Sequence, residues 1–234
     1  MKYRKLHSWN VTTGEARAIQ ERLRPRLKPA WDGRPVRTVA GADVGFPDRG
    51  TVLAAIVVVT YPDLEVVETQ VVGRRCAFPY VPGLLAFREA PALLRALAKL
   101  HRVPDLIVCD AQGYAHPRKM GLASHVGILL DRPVIGCAKS LLCGVADLVG
   151  KRRGSCSPIL DDAGETIGAA VRTRDGVRPV YVSVGNRIDL RTAIDFVLGM
   201  GRGYRIPEPL RLAHRLSVGG AVPMETHSRR RSRL

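Results

Sequence analysis

Residues 106–140 read LIVCDAQGYAHPRKMGLASHVGILLDRPVIGCAKS. Two short apolar runs, at 106–109 and 134–137, follow Pro104 and Pro133 and enclose a helical pattern at 122–130. Runs of strand length without polar alternation are buried on both faces. A helix between two of them is the spacing of parallel strands joined by a crossover. Asp110 and Lys139 come just after the two runs, at the carboxyl edge where open α/β sheets bind ligands.

Upstream, residues 36–45, 51–60 and 64–72 read as strands, and the turn residues Gly50 and Pro62-Asp63 make them an antiparallel meander. A basic amphipathic helix is predicted at 15–27. Another covers 88–101, with a buried stripe of Leu93, Leu97 and Leu100 and with Pro91 tolerable only in its first turn. Downstream come strands at 168–173 and 180–184, a helix at 189–200, and a last helix opened by Pro207 and ending near 216. The expected fold is a mixed α/β sheet, three antiparallel strands followed by parallel ones, flanked by helices. There is no internal repeat or second core, so residues 1–216 are expected to form one domain. Residues 217–234 lose all periodicity, end in RRRSRL and are expected to be a disordered basic tail.

The 234 residues, 46% of them hydrophobic, are enough to bury a proper core, which excludes a disordered tail protein and a disulfide-stapled miniprotein. Lysine and arginine number 37 against 21 acids, a net charge of +16, so the first partner to consider is nucleic acid. Taking out the tail's four arginines and Glu225 leaves the body strongly basic. The longest apolar run, 52–59, falls far short of the roughly 20 residues a membrane helix needs. The first ten residues lack the apolar core of a secretory signal, so a cytoplasmic location is expected. Five cysteines with no C-x-x-C pair are expected to be reduced and packed as small hydrophobes. GVADLVGKR at 144–152 fails as a phosphate-binding loop, because its glycine spacing is one residue too long and Arg152 stands where a hydroxyl is needed.

Three carboxylates stand where apolar elements do not want them. Asp43 lies in the first strand, Asp110 at the end of LIVC, and Glu89 at the top of the leucine stripe. Each has an ordinary explanation as a turn former, a cap or a helix N-terminal acid. Together they weigh more, because strand one and the first parallel strand tend to be neighbours and the connecting helix packs across both. Three oxygen donors in one site suit a hard cation such as Mg²⁺, and a basic protein with an acidic metal pocket reads as phosphodiester chemistry.

The strings GADVGF around Asp43, PYVPGLLAFRE from Pro79 to Glu89, CDAQGYAHPRKMGLASHVG from Cys109 to Gly127 and IGCAKS ending at Ser140 resemble the endonuclease V family. The match runs in order from about residue 10 to 216. This resemblance implies a ribonuclease H-like fold and a monomeric enzyme that repairs deaminated bases by nicking DNA at the second phosphodiester 3′ to deoxyinosine. It also implies Mg²⁺, with Mn²⁺ able to substitute, held by Asp43, Asp110 and Glu89. Tyr80, with Pro79, Val81 and Pro82, would be a wedge beside a flipped base. Gly83, Leu85 and Gly113 would line the hypoxanthine pocket. His116 and Lys139 would act near the scissile phosphate, and His214 would contact the substrate. The family usually has glycine after the strand-end aspartate, whereas here Asp110 is followed by Ala111, whose methyl group bears on the pocket's shape.

Tyr80 between two prolines is held in a stiff extended loop, from which an aromatic can enter a base stack; the bland alternative is a surface turn with the ring folded back on the core. Lys139 could neutralise a phosphate and His116 could donate to one, although a surface lysine needs no role. His125 reads as a core histidine, and His7, His101 and His227 show no role. Cleavage of inosine-containing RNA is the rival within nucleases. The rival from another class is a non-catalytic basic nucleic-acid-binding protein.

Overall fold

The computed structural model describes residues 1–48 and 50–222. The meander forms as expected from β1 (Thr38–Gly45), β2 (Thr51–Thr60) and β3 (Val66–Arg75). The quoted stretch forms β4 (Leu106–Cys109), the crossover helix α3 (Leu122–Leu130) and β5 (Val134–Ala138), with β4 parallel to both β1 and β5. Four further strands, β6 (Val145–Ala146), β7 (Cys156–Leu160), β8 (Thr166–Val171) and β9 (Val180–Asn186), complete one sheet in the order β3-β2-β1-β4-β5-β9-β8-β7-β6. This is the ribonuclease H-like arrangement.

Helices cover both faces. On one, α1 (Thr13–Leu23), α2 (Leu85–Ala98) and α3 pack on Ala40, Ala42 and Ile107; on the other, α4 (Leu190–Gly199) and α5 (Glu208–Ser217) pack on Val39, Val108 and Val182. The alternation of side chains along a strand sorts residues between the layers. On β1 it sends Gly41, Asp43 and Gly45 toward α5. A Cβ on Gly41 would lie 2.1 Å from the Pro209 carbonyl oxygen, and one on Gly45 2.1 Å from that of Ser217. The two glycines therefore let the helix backbone lie directly on the strand, with Asp43 between them.

Several boundaries differ from the sequence reading. Helix α1 stops at Leu23, and Pro25 turns residues 24–26 into a 3-10 turn. Helix α2 begins at Leu85, which puts Pro91 in its second turn, and Glu89 is a buried interior residue rather than an N-terminal acid. Strands β6 and β7 went unread because β6 has two residues and β7 carries Pro158 and sits near the sheet edge, where proline is tolerated. Helix α5 ends at Ser217, which is buried, so a boundary at 216 falls one residue short; residues 223–234, most of the expected tail and His227 with it, lie outside the described residues.

All five cysteines are free thiols, and Cys109 and Cys137 are fully buried, as their apolar runs suggested. His125 is a core residue. His7 does have a role, because its Nε2 lies 2.7 Å from Nε2 of His125 and both rings pack against Trp9 and Phe87. His101 Nδ1 pairs with Glu68 Oε1 at 3.0 Å.

Candidate active site

Asp43 and Asp110 sit side by side, because Ala42 pairs with Cys109 in the parallel ladder and the Asp110 N–H donates to the Ala42 carbonyl at 3.0 Å. From α5, His214 Nδ1 lies 3.1 Å from Asp43 Oδ2, and the Ser217 hydroxyl donates to that same oxygen. One ligand atom from each of Asp43, Asp110 and His214 falls within 4.8 Å of the others. Glu89 is not in that set. It approaches from α2, where burial first, and then the charges of Asp43 and Asp110, push its carboxyl up to about 8. Burial also raises the Asp110 carboxyl, against the pull of the Lys139 ammonium with which it is paired. Arg205 donates to the Lys139 carbonyl and to those of Arg178 and Pro179, fixing the end of β5 that carries the lysine.

The residues present fit a divalent cation. A buried acid that holds its proton at neutral pH beside two further carboxylates marks a site short of positive charge, and two carboxylates with an imidazole are a suitable donor set. Asp43 and Asp110, expected as ligands, fall in this set together with His214, expected at the substrate; Glu89, also expected as a ligand, borders it from α2.

Beside this cluster opens a pocket of about 270 Å³, whose wall includes Asp110 and Lys139 themselves. Tyr80, Val81, Pro82, Gly83 and Leu85 line one side, and Ala111, Gln112, Gly121, Leu122 and Leu142 another. Tyr80 is 71% exposed, so the ring stands out into solvent and is not folded back on the core. Pro79 is exposed outside the pocket. Gly113 does not line it either: a Cβ there would lie 2.2 Å from the Val184 carbonyl oxygen, and its N–H donates to Ser183 Oγ at 2.9 Å. Glycine at 113 serves close packing of the loop against β9. The α2 and α3 N-termini both border the pocket, and neither N-cap residue, Leu84 or Gly121, supplies a side-chain cap. First-turn N–H groups without a cap can donate into the pocket, although those of Phe87 and Ala123 are already taken by the Leu84 and Gln112 carbonyls at 3.0 Å.

Two carbonyl oxygens anchor the pocket loop, that of Phe78, which accepts from Arg88 Nη1 at 3.0 Å, and that of Gly83. The Gly83 carbonyl oxygen accepts from Gln20 Nε2 at 3.0 Å, His116 Nε2 at 2.9 Å and Arg118 Nη2 at 2.8 Å. Arg118 Nε also donates to Gln20 Oε1 at 2.6 Å, and His116 Nδ1 accepts the Arg118 N–H at 3.1 Å. Both ring nitrogens of His116 are thus engaged, and burial lowers its pKa to about 4. The ring is neutral at pH 7, donates through Nε2, and has no free nitrogen for a phosphate. Sequence reasoning missed Gln20, Arg118, Arg205 and Ser217, because nothing in their local pattern marks them; only contacts across the chain do.

The family sequence model described as endonuclease V matches residues 19–215. The chain belongs to the endonuclease V family. Among its relatives, the endonuclease V of Roseiflexus castenholzii is 51% identical over 217 residues, which is 93% of this chain and 97% of that protein. Among solved structures, the Streptomyces avermitilis endonuclease V superposes with a TM-score of 0.85 at 44% identity, covering 93% of this chain and 96% of that one. Endonuclease V of Ciona intestinalis, solved in complex with a 24mer DNA containing an inosine followed by a ribo-adenosine, gives a TM-score of 0.76 at 28% identity, covering 87% and 95%. As a member of the endonuclease V family the chain is an enzyme, and the reading as a non-catalytic binding protein falls away. No helix among the described residues is long and apolar enough to cross a membrane.

Proposed function

We propose that this chain is a Mg²⁺-dependent enzyme that nicks DNA at the second phosphodiester bond 3′ to deoxyinosine, acting as a monomer in the repair of deaminated bases. The observation that carries the reading is the continuity of the two sites, since Asp110 and Lys139 belong both to the acid cluster and to the wall of the pocket. A base held in the pocket therefore delivers its own strand to the acids. The relative from Ciona intestinalis, solved with an inosine-containing DNA, supports the substrate.

Asp43, Asp110 and His214 would hold the cation, with Glu89 joining once positive charge lowers its pKa. When bound, a divalent cation, Mg²⁺ or in its place Mn²⁺, neutralises charge on the phosphate and acidifies water. Ser217 orients Asp43 by donating to Oδ2. Lys139, anchored on Asp110 and backed by Arg205, presents an ammonium to the scissile phosphate. Water adds to phosphorus and the P–O3′ bond breaks. The departing 3′ oxygen takes a proton, leaving a 3′-hydroxyl and a 5′-phosphate.

Tyr80 enters the stack beside the flipped base, with Pro79 and Pro82 stiffening the loop that carries it. The first-turn N–H groups near Leu85 and Leu122 meet the acceptor edge of hypoxanthine, while Ala111 narrows the pocket beside it. His116 acts here as a positioning residue on Gly83, not as a proton carrier.

The test is a nicking assay on a duplex with one deoxyinosine, with Mg²⁺ or chelator, beside a matched strand carrying inosine in RNA. A Mg²⁺-dependent nick one nucleotide beyond the lesion's 3′ neighbouring bond supports the reading. Faster cutting of the RNA strand would move the substrate to RNA, and no cut on either would overturn the assignment.

A further inference from the structure

We propose that the pole of the sheet opposite the active site carries a second nucleic-acid site, a basic cleft that grips the phosphate backbone of a duplex. The acids stand where β1 and β4 finish. Arg132 precedes β5 and Arg187 follows the antiparallel β9, so both mark the end where the parallel strands begin. There an open cleft of about 510 Å³ is lined by Lys2, Arg4, Arg34, Arg132 and Arg187, with Asp131 the one acid in its wall. An adjoining cleft of about 330 Å³ shares Arg4 and Asp131 and adds Arg26 and Lys28 without another acid.

Asp131 cannot balance this charge. Its carboxylate already pairs with Arg4 Nη2 at 2.7 Å and Arg187 Nε at 2.6 Å, with Lys28 Nζ 3.9 Å away. Arg34 pairs with Asp32, whereas Lys2 and Arg132 have no ion pair among the described residues.

The backbone shapes the cleft. Asp131 (φ 52°) and Arg187 (φ 49°) are two of the four non-glycine residues with positive φ among the described residues, and they pair with each other in this cleft. Asp131 follows α3 at a position where glycine relieves the strain, yet both positions keep a charged side chain. The left-handed turn at Asp131 closes α3, and the Asp131–Arg187 pair fixes the wall from which Lys2 and Arg132 project.

Duplex DNA is the anion that fits. It presents one negative charge per about 1.7 Å of its axis, so cations spread over two joined clefts meet successive phosphates, which a lone small anion cannot offer. A membrane surface fits poorly, since none of the exposed large apolar side chains lies in either cleft to anchor it. With one site at each pole, the enzyme can hold a plain duplex segment while the acid cluster works on another.

The experiment uses the full chain with its catalytic face saturated by a short inosine-containing strand in metal-free buffer, and measures capture of a labelled plain duplex by sedimentation. The wild type should form the ternary complex. Lys2→Glu/Arg132→Glu, which leaves the Asp131 pairs intact, should weaken capture at least about fivefold and flatten the slope of log affinity against log salt by about 1.8, or 0.9 for each lost contact. Lys2→Glu alone, on an exposed residue, should give about half that slope change, and Lys2→Arg/Arg132→Lys should behave as wild type. Cleavage of the inosine strand with Mg²⁺ should be equal in all four proteins, which keeps failure of this site apart from failure of the active-site reading. Absence of a ternary complex in the wild type, or unchanged capture by the charge-reversed double variant, overturns the proposal. So does retention by tripolyphosphate or by anionic vesicles, but not by duplex.

Discussion

Asp43 and Asp110 extend from neighbouring parallel strands whose backbones are locked in a ladder, whereas Tyr80 and Gly83 ride on an irregular loop that side chains from elsewhere hold by two carbonyl oxygens, those of Phe78 and Gly83. The first region is buried and crowded with like charge; the second is open, aromatic at its tip and held at its root by the Arg118 guanidinium beside the neutral Gln20 and His116. Metal chemistry needs charges at fixed spacing, which a sheet provides without adjustment. Admission of a flipped base needs a surface that projects, and a loop clamped at its root projects while staying in register. If the two regions are this distinct, they should fail separately.

The largest effect is expected at the sheet. Asp43→Ala or Asp110→Ala should abolish Mg²⁺-dependent cleavage while binding of an inosine-containing strand in chelator survives. Melting temperatures should hold or rise, because each change relieves crowding among acids. Near-normal cleavage by either variant at saturating Mg²⁺ would sink the metal assignment. At the loop tip, Tyr80→Ala should keep slow cleavage but lose preference for inosine over plain strand by roughly 5- to 150-fold, the worth of about 1–3 kcal/mol of stacking. Tyr80→Phe should restore most of it, since the ring and not the hydroxyl fills the gap. Full preference in Tyr80→Ala would mean that the base is selected elsewhere.

The two regions should also carry opposite pH signatures in metal-free buffer. Glu89 keeps its proton up to about 8 in the folded state but ionises near 4.5 when unfolded, so its burial destabilises the fold increasingly as pH rises through that interval. Glu89→Gln should flatten this loss. His116 stays neutral down to about 4 when folded but gains a proton near 6.5 when unfolded, so its contribution is complete above 6.5 and is lost as pH falls toward 4. His116→Gln should flatten that acid limb. Each slope is about 1.4 kcal/mol per pH unit, read from denaturant midpoints across pH; a Glu89→Gln profile parallel to wild type would contradict the crowding. The smallest effect belongs to the clamp. Gln20→Ala removes one of three donors to Gly83, at a cost of about 1 kcal/mol, and should lower inosine affinity about fivefold while cleavage of bound substrate proceeds at the wild-type rate. An equal loss in turnover would mean that the loop and the acids are mechanically one.

Legibility in the sequence followed the range of the interaction. The stretch 106–140 could be read because two apolar runs around a helical pattern leave one economical arrangement, and the handedness of the crossover then brings Asp110 beside Asp43. The prolines around Tyr80 could be read because they act on their own backbone. Strand β7 could not, since β6 covers only Ile159 and Leu160 and leaves Pro158 on an open side, where the rule against proline in strands is suspended. Gln20 could not, because its partners at Gly83 and Met120 are 63 and 100 residues away and nothing in TGEARAIQERL separates it from a polar face.

What the sequence determined by itself was local: periodicity, turn chemistry, and the presence of carboxylates at the ends of apolar strands, each set by neighbours a few residues apart. What only the tertiary structure decided was which distant groups share a volume. That places His214 and Ser217 on Asp43, makes His116 a clamp and leaves Glu89 with its proton. The physical reason is that desolvation, and hydrogen bonding between distant segments, depend on everything packed around a group, and a linear pattern does not contain that surrounding.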